Sequence, residues 1–390
     1  MTRALSLFIL SLLLWHCQPK PKPFVLMQSW RSPLFLDPRL VGESIYPIAT
    51  DDAGVVVARL LGNQGPVLLK LAGDNGCILW QYQDTSLHQP LYYNLEAVVA
   101  GSRLVLPFPG STRCFDLHSG ALLWQIATPG GEPFLASYTK DYCLQSINDK
   151  AKRESYVLRI ALATGDTTRL YTQRCPAAGK CFLRTSVTLR RDRIAFSSSS
   201  MELGTNQTQS KWLIFDLVDA QVIHRGMAYR ENNKGWCISK QGLVNNQNLL
   251  WLAKDEFFCV DTETGKERWR YRLARDMLSS CPLVDDGYVY LALEDGQLYK
   301  LSLTDGRLIW QTTFARTPSR LLAHAGRIYG VGGHDGQLYI FDQTKGQLIQ
   351  KVEAPNAAYY PEQYYRRFIG TDQTGEYLFL FDGNSVRAYR

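Results

Sequence analysis

After its first few dozen positions the chain is a succession of short apolar runs, each broken by Gly, Asp or Asn. Runs of four to eight residues rich in Tyr, Phe, Val and Leu, bounded by such residues, predict strands. One stretch shows the pattern plainly. Residues 297–311, QLYKLSLTDGRLIWQ, read as two strands joined at Thr304-Asp305-Gly306 and closed by Trp310. The same hairpin is written earlier as FFCVDTETGKERWR (257–270) and later as QLYIFDQTKGQLIQ (337–350).

Aligned on the second strand of this hairpin, seven units close at Trp80, Trp124, near Arg169, near His224, at Trp269, at Trp310 and at Gln350. The steps are mostly 40 to 46 residues, with one longer step into the fourth unit. That is the length of one four-stranded propeller blade. In the sixth unit strand A is expected over 282–285, B over 288–293, C over 297–303 and D over 307–310. Gly76, Gly120, Gly165, Gly265, Gly306 and Gly346 share one place in the C–D turn, where a hairpin loop needs a residue at positive φ. The fourth unit has Ala220 there, so its turn is expected to differ. Asp116, Asp216, Asp261 and Asp342 precede that place by four residues and are read as caps of their own turns. The closing tryptophans are read as structural, packed between blades.

The last unit ends at FDGNSVRAYR (381–390), a strand C with no strand D after it. PFVLMQSW (23–30) ends in Trp30 and supplies the missing strand. Counting that closure predicts an all-β, eight-bladed propeller over 24–390, locked by its N-terminal strand.

The first residues, MTRALSLFILSLLLWHC, stand apart. A positive Arg3 precedes an apolar run over 4–15, shorter than the roughly 20 residues a membrane span needs. Residues 1–16 are therefore read as a secretion signal, with a buried N-terminal helix as the bland alternative. Cys17 follows the run directly and is the expected site of diacylation, although Trp15 and His16 stand where small residues are usual. Two acyl chains give stable anchoring where one does not. The Pro-Lys spacer up to residue 23 favours extended polyproline II.

Hydrophobic residues make up 45% of the 390 and charged residues 20%, which is globular composition. Without Arg3 there are 42 basic and 36 acidic residues, with no basic run, so a nucleic-acid partner is not expected. Eight cysteines remain besides Cys17, and an exported chain can form disulfides. Cys175 and Cys181 are the best local pair. Cys237 and Cys281 begin neighbouring A strands and form a weaker candidate. Cys114 and Cys259 are expected as buried free thiols. No spacing reads as a metal site. His334 is read as a turn residue, and the Asn206-Gln207-Thr208 sequon as chance.

Repeats of the form strand–D-x-x-T-G-x-x-x-W, best at 261–269, 301–310 and 116–124, resemble the quinoprotein-type (PQQ-like) propeller family. The resemblance covers about 24–390, strongly in units 1, 2, 5, 6 and 7 and weakly in 3 and 4. It implies one of two branches. Quinone-dependent dehydrogenases are longer, with vicinal cysteines, calcium-binding acids and a catalytic Asp, none of which is assignable here. The other branch is non-enzymatic and includes the propeller lipoprotein of the bacterial outer-membrane β-barrel assembly machinery, similar in length, signal type and blade count.

Blade topology puts the A–B and C–D turns on one face and the B–C and D–A connections on the other. The long, irregular segments fall on the second face: 148–155, 172–181, 201–210, 226–236 and 354–367. Per-repeat insertions on one face mark a binding surface. The last holds Tyr359, Tyr360, Tyr364, Tyr365, Arg366 and Arg367, and Tyr92-Tyr93 enters blade 2. These residue types are enriched in interfaces, although tyrosines here also suit blade packing. The expectation is a monomeric, exported, periplasm-facing lipoprotein of the cell envelope that binds a protein partner, without cofactor or enzymatic activity. The alternative is a quinone- or sugar-binding propeller with oxidoreductase activity.

Overall fold

The computed structural model describes residues 28–31, 43–61, 64–84, 97–108, 110–128, 134–137, 139–176, 179–190, 192–202, 207–231, 241–245, 247–253, 256–273, 282–316, 321–332, 335, 337–352, 369–374, 377–382 and 386–389. These form eight antiparallel four-stranded sheets. Blades 1 to 7 lie within 43–83, 98–127, 134–174, 179–231, 241–272, 283–313 and 322–352, each in simple A-B-C-D order. Blade 8 takes strands A to C from 369–389 and its outer strand from Gln28–Arg31, with Gln28 beside Tyr389 and Trp30 beside Ala388. The N-terminal strand therefore closes the ring.

Each blade is hydrophobic on both faces, because each is covered by a neighbour on both sides. The core accordingly divides into eight apolar wedges, one at every blade–blade junction. Val55, Val57 and Leu69 of blade 1, for example, meet Phe379, Val386 and Ala388 of blade 8.

The repeated Gly and Trp meet between blades. An indole from one D strand lies on the C–D turn of the next blade, and at three of these contacts, Trp310 being the exception, its ring nitrogen donates to a carbonyl there. Trp80 Nε1 reaches Leu117 O at 3.0 Å, Trp124 reaches Leu162 O at 2.9 Å and Trp269 reaches Leu303 O at 2.9 Å. His224 does the same to Glu263 O at 2.7 Å. Each ring lies on the turn glycine itself: a Cβ added to Gly306 would stand 2.5 Å from Trp269 Cε3. The six turn glycines all have positive φ, from 66° to 81°.

Ala220 was expected to make a different turn, and it does not. It stands at φ 52°, and Phe215 pairs with Val222 as Phe115 pairs with Leu122 in blade 2. The register of the D strand fixes the turn, and alanine accepts the left-handed strain, roughly 1–2 kcal/mol. The strands also run past the positions read from sequence. In blade 6, Leu308–Thr313 continues beyond Trp310, while A begins at Leu283 and B ends at Ala292.

The turn aspartates cap as expected. Asp116 Oδ1 accepts from the amides of His118 (3.1 Å) and Ser119 (2.8 Å). Asp261 and Asp342 repeat the pattern. The Ser119 amide bond holds the Asp116 carboxyl below its ordinary range, the Asp219 amide does so for Asp216, and the Arg268 guanidinium for Asp261. A folded-state pKa below the unfolded value contributes stability that is present above about pH 4 and lost as pH falls through the folded pKa. Thermal melts are therefore expected to be flat from pH 7 to about 5 and to fall below about 4. Asp261→Asn is expected to shrink that acid drop. An unchanged drop would remove these caps from the account.

Candidate functional site

The two faces of the ring differ in relief. On the A–B/C–D face the turns are short and uniform. On the other face the blades end at different heights, because their B strands differ in length. Strand B has 5 residues in blade 6, 8 in blades 1 and 3, and 10 in blade 4. At about 3.3 Å per residue, blade 4 stands about 16 Å taller than blade 6. Two segments read as irregular insertions begin and end in strand: 148–149 and 154–155 flank a four-residue turn, and 201–202 and 207–210 are strand in the other. Asn148–Ser155 and Asp149–Glu154 are paired residues of one hairpin, and Glu202 pairs with Gln207 across the other. Their polar sequence hid the alternation that would have marked them as strands.

Blades 3 and 4 are fastened together at this height. Cys175, after the last strand of blade 3, is disulfide-bonded to Cys181, in the first strand of blade 4. The six-residue separation corresponds to about 2 kcal/mol of lost unfolded-state entropy. Polar bonds continue the seam. The Cys175 amide donates to Arg153 O at 2.9 Å, and the Arg153 guanidinium reaches back to Pro176 O. Buried Asn148 accepts from the Leu183 amide at 3.1 Å, and Ser155 Oγ donates to Cys181 O at 3.2 Å. Arg153 itself sits at φ 56°.

The charge at the blade 3–4 tip is predominantly basic. Lys150, Lys152, Arg153, Arg174 and Lys180 are exposed there. Of the acids there, Asp149 is buried and caps the Lys152 amide at 3.0 Å, and Glu154 pairs with Arg169 at 2.9 Å, while Glu202 and Glu231 lie in the strand ends of blade 4. A raised, basic rim of this kind sets up a positive field over the face it stands on. Among its described residues no side chain is arranged as nucleophile and base.

The sequence-predicted partner residues, Tyr92, Tyr93, Tyr359, Tyr360, Tyr364, Tyr365, Arg366 and Arg367, lie outside the described residues. So do Cys17, Cys237, Cys281, His334 and Asn206. Trp30 lies in the closing strand. Cys114 and Cys259 are free and buried, and burial pushes both thiols up to about 12. Cys143, which sequence reasoning passed over, is a third such thiol and shares a wedge with Cys114. Among the described residues, no three His, Cys, Asp or Glu side chains gather as metal ligands would.

A family model described as outer membrane protein assembly factor BamB matches residues 27–140 and 228–359, well over half of the chain. The chain belongs to this PQQ-like family. The stretch between the two matches, 141–227, covers nearly all of blades 3 and 4, whose long strands depart from the common repeat. Among solved structures, BamB from Moraxella catarrhalis is similar over 94% of this chain and 100% of its own, at 14% identity and a TM-score of 0.62. The computationally designed Ika8 protein matches 93% of this chain and 99% of its own at 12% identity and a TM-score of 0.62. The quinohemoprotein alcohol dehydrogenase ADHIIG from Pseudomonas putida HK5 matches 94% of this chain and 76% of its own, at 10% identity and a TM-score of 0.61. At these identities the likeness is one of fold alone. A sequence comparison with curated proteins gives no match.

Proposed function

We propose that this BamB-family propeller is a non-enzymatic scaffold that holds a protein partner during outer-membrane protein assembly. Cys17 carries its lipid anchor and the ring faces the periplasm. The observation that carries this reading is the disulfide-clipped rim of blades 3 and 4. It raises basic side chains on the face that also bears the long connections. A rigid, charged platform costs little ordering on binding and favours fast, electrostatically steered capture of a partner. The tyrosine–arginine segment 359–367, expected from sequence on the same face, supplies residue types that dominate binding energy.

Crosslinking and pull-down from intact cells tests this. Wild type is compared with Lys150→Glu/Lys152→Glu and with Tyr364→Ala/Arg366→Ala. Loss of one discrete crosslinked protein is expected in both variants, and the wild-type crosslink is expected to weaken as salt is raised. Partners unchanged in both would refute the face as a docking surface. Turnover in a calcium- and quinone-dependent dye-reduction assay would sink the scaffold reading itself.

A further inference from the structure

The outer circumference of the ring is made of eight D strands, and it is chemically divided. In blades 1, 2 and 6 these strands read ILWQYQ, LLWQIA and LIWQTT, without a single charge. In blade 7 the strand reads LIQKV, with one lysine. Blades 3 and 5 instead carry TTRLYTQR and ERWRYR, and blade 4 carries QVIHRGMAYRE. Edge strands are ordinarily protected by charge. Blade 5 shows that protection: Arg268 pairs with Asp261, and Arg270 with Glu256 and Glu267.

The unprotected strands open with exposed aliphatic residues. Ile78, Leu79, Leu122, Leu123, Leu308, Leu348 and Ile349 are between 37% and 51% exposed. In blades 3 and 5 the matching positions are Thr167, Thr168, Glu267 and Arg268, and in blade 4 they are Val222 and Ile223, both half-buried. Among the described residues Val218, in the blade 4 turn, is the one exposed aliphatic on that side.

Position decides what the aliphatic pairs face. Every D strand starts at the C–D-turn face, so all the pairs lie at one height on the rim. They span blades 6, 7, 1 and 2, and blade 8 lies in the middle of that arc. Blade 8's own D strand is Gln28–Arg31, where Gln28 and Ser29 stand at the positions of Ile78 and Leu79. The segment bearing Cys17 thus joins the fold at the centre of the apolar arc and at the same height. Eleven residues, 17 to 27, reach at most about 40 Å.

We propose that this arc is a membrane-apposed surface: the ring leans its C–D-turn face, blade 8 lowest, onto the lipid surface that holds the anchor. The proposal rests on the reading of Cys17 as that anchor. Apolar side chains seat at the boundary of headgroups and acyl chains, and the tether holds them there at high local concentration. The lean leaves the B–C/D–A face, with its basic rim, pointing away from the bilayer towards a partner. Charged D strands on blades 3 to 5 mark the side that stays in water.

The test is flotation with vesicles of phosphatidylethanolamine and phosphatidylglycerol. One protein is the lipidated chain. The other starts at residue 17 with Cys17→Ser, which has no acyl group and keeps every described strand. Each is compared with Leu79→Glu/Leu123→Glu/Leu308→Glu/Ile349→Glu, and with Thr167→Glu/Thr168→Glu/Thr172→Glu/Gln221→Glu as a charge-matched control on the opposite arc. The unlipidated chain is expected to keep weak, salt-insensitive vesicle binding. The arc variant should lower that binding about ten-fold and the control should leave it unchanged. Equal loss in both quartets, or no vesicle binding by the unlipidated chain, would overturn the arc while leaving the anchor standing. So would self-association that the arc variant abolishes, since the arc would then seat a second copy. If the full chain binds no better than the Cys17→Ser chain and both depend on the arc, the anchor reading fails and the arc stands.

Discussion

Trp269→Ala is expected to destabilise the ring by about 3–5 kcal/mol, and Gly306→Ala by about 2–3 kcal/mol, with the pair costing clearly less than their sum. Trp269 is buried at the junction of blades 5 and 6, against Phe257 at 5.8 Å. Its removal opens a cavity and frees the Leu303 carbonyl that its Nε1 meets at 2.9 Å. Gly306 stands at φ 71°, where an alanine is strained, and the new methyl also strikes the indole. Once the indole is gone, only the backbone strain remains, about 1 kcal/mol. A double-mutant cycle in urea should therefore show a coupling of about 1–2 kcal/mol. Strict additivity would mean that the tryptophan of one blade and the glycine of the next do not share an interaction.

The second expected result concerns a charge inside the wedge between blades 1 and 2. Lys70 is 1% exposed, and its ammonium is held by Asp51 at 2.6 Å and by Leu117 O at 3.1 Å. Asp51→Asn leaves that ammonium buried against a carbonyl alone, and is expected to cost about 3–5 kcal/mol. The amide side chain can still cap the Ala53 and Gly54 amides that Asp51 now caps, so the loss reports the charge and not the turn. Lys70→Met, which removes the charge and keeps the volume, is expected to cost under about 1.5 kcal/mol. Equilibrium unfolding of both variants decides the matter. If Lys70→Met is the worse of the two, the ion pair stabilises the junction outright.

How much of this was legible in the chain follows from what each residue touches. The turn glycines announce themselves because each obeys a rule of its own backbone. The tryptophans recur with them, four residues on, yet the partner of each is the glycine of the next repeat, about 40 positions away. The spacing within one repeat therefore names the right residues and hides their contact. Ala220 shows the converse: the sequence rule favours glycine, but strand register overrides it. Blades 3 and 4 were blurred because their extra strand length buries polar residues, among them Asn148, Ser155 and Ser210, so alternation has no apolar face to record it. Lys70 carried no signal, since a lysine in a strand C ordinarily reads as exposed, and only the turn of the neighbouring blade makes it buried. Cys175 and Cys181 were legible as a pair because a short loop needs no tertiary knowledge. The divided rim was not, since each D strand looks ordinary until the ring sets all eight side by side.

The clasp in blade 8 has a consequence for how the molecule comes into being. Gln28 and Tyr389 are neighbours in space and roughly 360 positions apart in the chain, whereas the other strand partners are joined by short turns. By loop-closure entropy, that contact costs about 4 kcal/mol more than a six-residue turn. It becomes favourable only once the intervening blades have shortened the gap. During folding the chain is thus an open arc whose first strand waits for its last. Val386–Tyr389 works as a proof of completion, and a chain cut short before it never becomes a ring.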